Sequence, residues 1–168
     1  MGFHINGSQK YWQLENVNVA PPANAKIKRP CTTTADVVHI TRSCGYCKVV
    51  GCNFSLNQDD IFNFHDRTSF FKRISERKLE IVGERGMAYF NPSRGDMLEL
   101  FNSDVTPVNF IAKVVSADGR ILELDKAIPE LEGEGFLAAN RSYKTANILI
   151  KDCNFHNYYG RMIIVSSH

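Results

Sequence analysis

Apolar and polar positions along this chain alternate with a period of two, in short runs broken by Asn, Gly, Asp and Ser. Helical spacing is scarce, so the pattern predicts an all-β protein. Three runs share one phrase: LENVNV at 14–19, VVGCNF at 49–54 and IKDCNF at 150–155. Aligned, they place Val17, Cys52 and Cys153 in one column and Val19, Phe54 and Phe155 in a second, with Asn18, Asn53 and Asn154 between. Alternate strand residues face opposite sides, so the first two columns are expected to share an interior. Companion runs DVVHI (36–40), DIFNF (60–64) and RMIIV (161–165) flank the phrases, and Asp36 lies 24 residues before Asp60. That interval suits one coil of a parallel β-helix, in which equivalent residues stack at about 4.8 Å. A β-sandwich with accidental repeats is the plainer reading.

Between Cys52 and Cys153 lie 101 positions, far more than one coil. Residues 67–142 follow a different grammar, entered through DRTSFFKRISERK (66–78) and continuing through LEIVG, DMLELF, VNFIAKVVSADGRILELDKAI and GFLAAN. SADGR between two alternating runs predicts a hairpin with Asp118-Gly119 in its turn. The expected organisation is therefore β-helix coils over 1–66 and 143–168, with a small antiparallel β-barrel inserted at 67–142. The chain starts and stops in mid-coil, which predicts a fragment of a longer protein. Open coil ends of this kind predict pairing with another copy, a homo-oligomer.

Bulk properties narrow the partners. The chain has 168 residues, 43% hydrophobic and 23% charged, with a net charge of +2. Such composition is ordinary for a folded domain, and the charge is too small to point to nucleic acid or a membrane surface. No apolar run approaches the roughly 20 residues of a membrane span. MGFHINGSQKYWQLENV lacks the apolar core of a signal peptide, as either a truncated or an intracellular chain would. Five cysteines (31, 44, 47, 52 and 153) make an odd count. CGYC at 44–47 has no second CxxC or CxxH and no following helix, so zinc and redox roles are poorly supported. Packed thiols or a local disulfide remain.

The chemistry concentrates before the companion runs. Asp36 precedes Val37 as Asp60 precedes Ile61, with Asp59 alongside, and Arg161 precedes Met162 one coil on. Stacked this way, three carboxylates repel, which is how a site keeps a protonated acid beside an ionised base. Glycosidic hydrolysis needs that pair. Aspartates that merely cap turns are the alternative. His39 and His65 fall on the same stacked coils, as sugar-hydroxyl partners or as satisfied rim histidines. Trp12 is a stacking candidate or a core residue.

TTTADVVHITRSCGYCKVVGCNFSLNQDDIFNFHD (32–66) resembles the catalytic coils of glycoside hydrolase family 110, exo-acting α-1,3-galactosidases. GDMLELF, KAIPE, AAN and GRMIIVSS resemble further family phrases. The resemblance implies a right-handed parallel β-helix with an inserted barrel, and inverting, metal-independent chemistry with no cofactor. It implies catalysis by Asp36, Asp59 and Asp60, with Arg161, His65 and His39 binding the glycan substrate, and export of the full-length protein. Polygalacturonases have a similar Asp and Asp-Asp layout, but their GHG and RIK motifs do not occur here. A non-catalytic, carbohydrate-binding β-helix of the tail-spike or adhesin kind is the rival from another class.

Overall fold

The computed structural model describes residues 2–7, 9–82, 90–130 and 136–166. It is all-β, with no helix among the described residues. By contacts the chain divides into two compact units, one running through Asp66 and resuming at Tyr143, the other spanning Arg67–Ser142.

The first unit is built from three parallel sheets. One contains β1 (Phe3–Ile5), β4 (Val38–Thr41), β7 (Phe62–His65) and β16 (Ile163–Ser166), in that order. The second contains β2 (Lys10–Glu15), β5 (Cys44–Val50) and β14 (Ile148–Lys151), and the third β3 (Asn18–Val19), β6 (Asn53–Ser55) and β15 (Asn154–His156). The chain visits the three sheets in rotation, adding one strand to each at every pass. The registers run Phe3–Val38–Phe62–Ile163 and Ile5–Ile40–Phe64–Val165. They also join Asn18, Asn53 and Asn154, and Val19, Phe54 and Phe155, the columns that the repeated phrase predicts. In the first sheet β4, β7 and β16 begin two residues into the companion runs, at Val38, Phe62 and Ile163.

Inward positions make one core. Val38, Ile40, Val49, Phe54 and Phe62 are fully buried, with Cys52 and Phe64 at 1% exposure. Phe54 stacks on Phe155 with centroids 5.5 Å apart, and Phe155 meets Phe62 edge-on at 5.2 Å. Between the columns, Asn53 Nδ2 donates to Asn18 Oδ1 at 2.8 Å and Asn154 Nδ2 to Asn53 Oδ1 at 3.1 Å, an amide ladder up the outside. The bend before it repeats too. Asn16, Gly51 and Asp152 all have left-handed backbone, with φ of 55°, 64° and 54°. Those residue types reach this conformation at least strain. The chain therefore turns the same corner at the same place in each pass.

The second unit is a closed barrel in the order β10 (Met97–Phe101), β11 (Pro107–Asp118), β12 (Ile121–Leu124), β9 (Lys78–Val82), β8 (Thr68–Arg73) and β13 (Phe136–Asn140). All its pairings are antiparallel. Its core includes Phe71, Leu79, Leu98, Leu100, Val114 and Leu122. Asp118 pairs with Ile121, so the hairpin turn is Gly119-Arg120, one residue later than SADGR predicts. Gly119 has a φ of 55°, which a glycine supplies without strain.

Phe62→Ala removes a fully buried ring from the first core. Chemical denaturation should show a loss of about 3–5 kcal/mol, the range for large-to-small aromatic replacements.

Candidate functional site

The turns entering β4, β7 and β16 carry the polar cluster. Val37 N donates to Asp60 O at 3.0 Å and Ile61 N to Arg161 O at 3.0 Å. These bonds continue the sheet register outward, so Asp36, Asp60 and Arg161 stand one above another. One side-chain oxygen from each of Asp36, Asp59 and Asp60 lies within 4.8 Å of the other two. Asp36 and Asp60 are buried, at 6% and 3% exposure, while Asp59 is open to solvent. Two full charges at this separation repel on the order of 3 kcal/mol at an effective dielectric near 20, so the cluster needs compensating partners.

Each carboxylate has them. Arg161 grips Asp60 with a fork: Nε to Oδ1 at 3.1 Å and Nη2 to Oδ2 at 3.2 Å, with its backbone N to Oδ1 at 2.7 Å. The hydrogen bonds and charge of Asp60 hold the guanidinium pKa above its ordinary value. Asp36 Oδ2 meets His39 Nδ1 at 2.6 Å and accepts from Asn63 Nδ2 at 3.2 Å. Asp59 Oδ1 accepts from the Asp60 backbone N at 2.9 Å. Behind the pair, Asn57 Nδ2 donates to the Asp59 carbonyl. Gly160 packs so closely on the Asp59–Asp60 peptide that a Cβ there would lie 2.4 Å from Asp59 C.

A histidine chain extends from Asp36. His39 Nε2 faces His65 Nε2 at 2.8 Å, and His65 Nδ1 lies 3.2 Å from Asp66 O. Two nitrogens at hydrogen-bond distance share one hydrogen, so one Nε2 donates and the other accepts. His4 meets the His39 ring edge-on at 5.1 Å. Asp66 Oδ1 in turn accepts from Thr145 N at 2.9 Å, joining the point where the chain leaves the first unit to the point where it returns.

The six residues assigned catalytic or binding roles from the sequence, Asp36, Asp59, Asp60, Arg161, His65 and His39, thus fall in one connected cluster. Arg161 and the two histidines are engaged with the cluster itself, which leaves less of their donor capacity for a sugar. Asn63 was missed, although its outward place between Phe62 and Phe64 on the strand carrying His65 was the available signal. Gly160 and Asn57 had none. Trp12 packs against the apolar core, in the direction of the plainer reading. Three carboxylate oxygens this close are able to ligate a cation, but Arg161 already occupies both Asp60 oxygens and a cation must compete with it.

All five cysteines are free, so the local disulfide is absent. Cys47 is fully buried, and burial, with Cys44 beside it, pushes its thiol pKa up to about 11. Burial raises Cys52 as well. Neither environment activates a thiolate.

No family model matches the chain, and no curated protein sequence does. Among solved structures it is similar to the Gp54 tailspike of Acinetobacter baumannii bacteriophage AP22, solved in complex with A. baumannii capsular saccharide. The TM-score is 0.30 and the identity 9%, and the match covers 93% of this chain and 28% of the tailspike.

Thiol labelling at pH 8 should modify Cys31 and Cys44 in the native protein well before Cys47. An unfolded thiol ionises near 9.0 and native Cys47 near 11, so the unfolded state loses its proton first. The Cys47 contribution to stability is therefore present below pH 9 and is lost as pH rises through 11. Comparing denaturation of the protein and of Cys47→Ala across that window measures it.

Proposed function

We propose that the first unit is a right-handed parallel β-helix that engages glycans, and that Asp36, Asp59 and Asp60 hydrolyse a terminal α-1,3-linked galactoside, the activity of glycoside hydrolase family 110. The convergence of three carboxylates from two stacked turns within 4.8 Å carries this reading. Their partners divide the roles. Asp60 is ion-paired to Arg161, and Asp36 Oδ2 is engaged by His39 and Asn63, so these two are the carboxyls we assign to activating water. Asp59, the most open of the three, is the carboxyl placed to carry a proton to the leaving oxygen. In that step the glycosidic C–O bond breaks and the leaving oxygen takes the Asp59 proton. Water adds to the anomeric carbon and gives a proton to Asp36 or Asp60.

The close packing of the cluster favours a second reading. Oxygens within 4.8 Å stand nearer than the roughly 6.5–9.5 Å that leaves room for a water between acid and base in inverting enzymes. Every carboxylate also has a partner already. A rim stabilised this way, binding carbohydrate without cleaving it, is the alternative.

Asp60→Asn should lower turnover of α-1,3-galactobiose at least about 100-fold. Asp59→Asn should do the same, yet lose much less on a nitrophenyl α-galactoside, whose leaving group needs no proton. Proton NMR of the first-formed galactose reads the stereochemistry, with the β-anomer expected from inversion. Sugar release that neither variant alters removes the hydrolytic reading. Glycan binding without release, persisting after all three aspartates are replaced, establishes the alternative.

A further inference from the structure

The phrase CGYC takes no part in the carboxylate cluster, and its cysteines are unbridged. Its neighbours in the second sheet show what it builds. Lys10 pairs with Cys44 and Trp12 with Cys47, so Gly45 and Tyr46 together oppose the single residue Tyr11. This is a β-bulge, a device that re-aims side chains. Tyr11 and Gly45 both have left-handed backbone, with φ of 53° and 83°. Glycine adopts it freely, but in a bulky tyrosine it is a strained outlier that the surroundings must impose. A Cβ on Gly45 would lie 2.8 Å from Tyr11 Cδ1 and Cε1, so only glycine leaves room for that ring.

The strain does not bury the tyrosine. Tyr11 is 71% exposed and Tyr46 60% exposed, whereas Trp12, Leu14 and Val49 of the same two strands turn toward the core. The two tyrosine rings lie 6.3 Å apart, inclined at 33°. With Trp12, Gln13 and Lys48 they line a depression of about 190 Å³.

We propose that the Tyr11–Tyr46 depression is a second sugar-binding site, taking one pyranose ring of a glycan. The electron-rich ring faces attract the polarised C–H face of a sugar. The Lys48 ammonium and the Gln13 amide, whose Nε2 also donates to Glu15 at 3.5 Å, line it as partners for its hydroxyls. The volume is below that of pockets for drug-sized molecules and suits a single ring. Fixing Tyr11 against Gly45 holds the platform in place before the ligand arrives, which reduces the ordering that binding requires. The depression lies on the β2–β5–β14 sheet, whereas the carboxylates sit on the turns entering another sheet. The site therefore stands or falls independently of hydrolysis.

The test titrates α-1,3-galactobiose and cellobiose into the protein, following heat and the tyrosine NMR signals. Tyr11→Ala and Tyr46→Ala should each weaken binding of at least one sugar about tenfold, the scale of one aromatic contact. Tyr46→Phe should restore most of it, and the triple variant Asp36→Asn, Asp59→Asn, Asp60→Asn should leave tyrosine-dependent binding in place. Circular dichroism and sedimentation accompany each variant, so that loss of binding counts only in a folded protein. Because Tyr46 points into solvent, Tyr46→Ala and the triple variant decide the matter if Tyr11→Ala unfolds. Binding of neither sugar, binding indifferent to both tyrosines, or binding abolished by the aspartate variant alone overturns the proposal. So does self-association that Tyr46→Ala dissolves while sugar binding is unchanged.

Discussion

Parallel, in-register pairing is the constraint on which the first unit depends. Each pass lays a strand directly on its predecessor, so the side of the sheet taken by one residue is imposed on its equivalents above and below. A slip of one position turns Phe54 and Phe62 out and brings Asn53 and Asn63 in. The buried phenylalanines and the left-handed corner at Asn16, Gly51 and Asp152 resist that slip from two directions, one through packing and one through backbone conformation. The same register that secures the core fixes which polar groups meet outside it.

The acidic cluster follows from this. Asp36 and Asp60 come together because Val38 and Phe62 pair, not because carboxylates attract one another. Their repulsion is offset by what the next pass supplies, the Arg161 guanidinium on Asp60 and the Asn63 amide on Asp36, and by the His39 ring from the strand that Asp36 itself leads into. Gly160 lets the Arg161 segment approach the Asp59–Asp60 peptide without a side chain intervening. Core packing and site geometry are therefore coupled, and damage to the stack should displace the carboxylates before any of them is changed.

Much of this was legible in the sequence because an interior column must repeat its chemistry. The Val, Cys, Cys and Val, Phe, Phe columns gave the register, and from it the Asp36–Asp60–Arg161 stack. The antiparallel grammar of the middle stretch was visible in SADGR, with the turn displaced by one residue. What was not legible depends on side-chain direction. That His39 and His65 meet at Nε2, and that Arg161 turns back on Asp60, is set by ring and guanidinium angles that residue spacing does not encode. The corner residues were hidden for another reason. Asn, Gly and Asp look unrelated as letters, and only their shared left-handed backbone makes them one position. CGYC was read through its cysteines, which are free as the packed-thiol reading has them, while the backbone bulge at Gly45 and Tyr46 had no signal in the letters.

Amide-resolved NOE spectroscopy on the intact chain tests the stack most directly. Parallel stacking predicts cross-strand contacts of the Val38 amide with Ile61 and of the Phe62 amide with Met162, the neighbours their hydrogen bonds specify. Absence of those contacts, or an antiparallel pattern joining β4 and β7, would separate Asp36 from Asp60 and contradict the account.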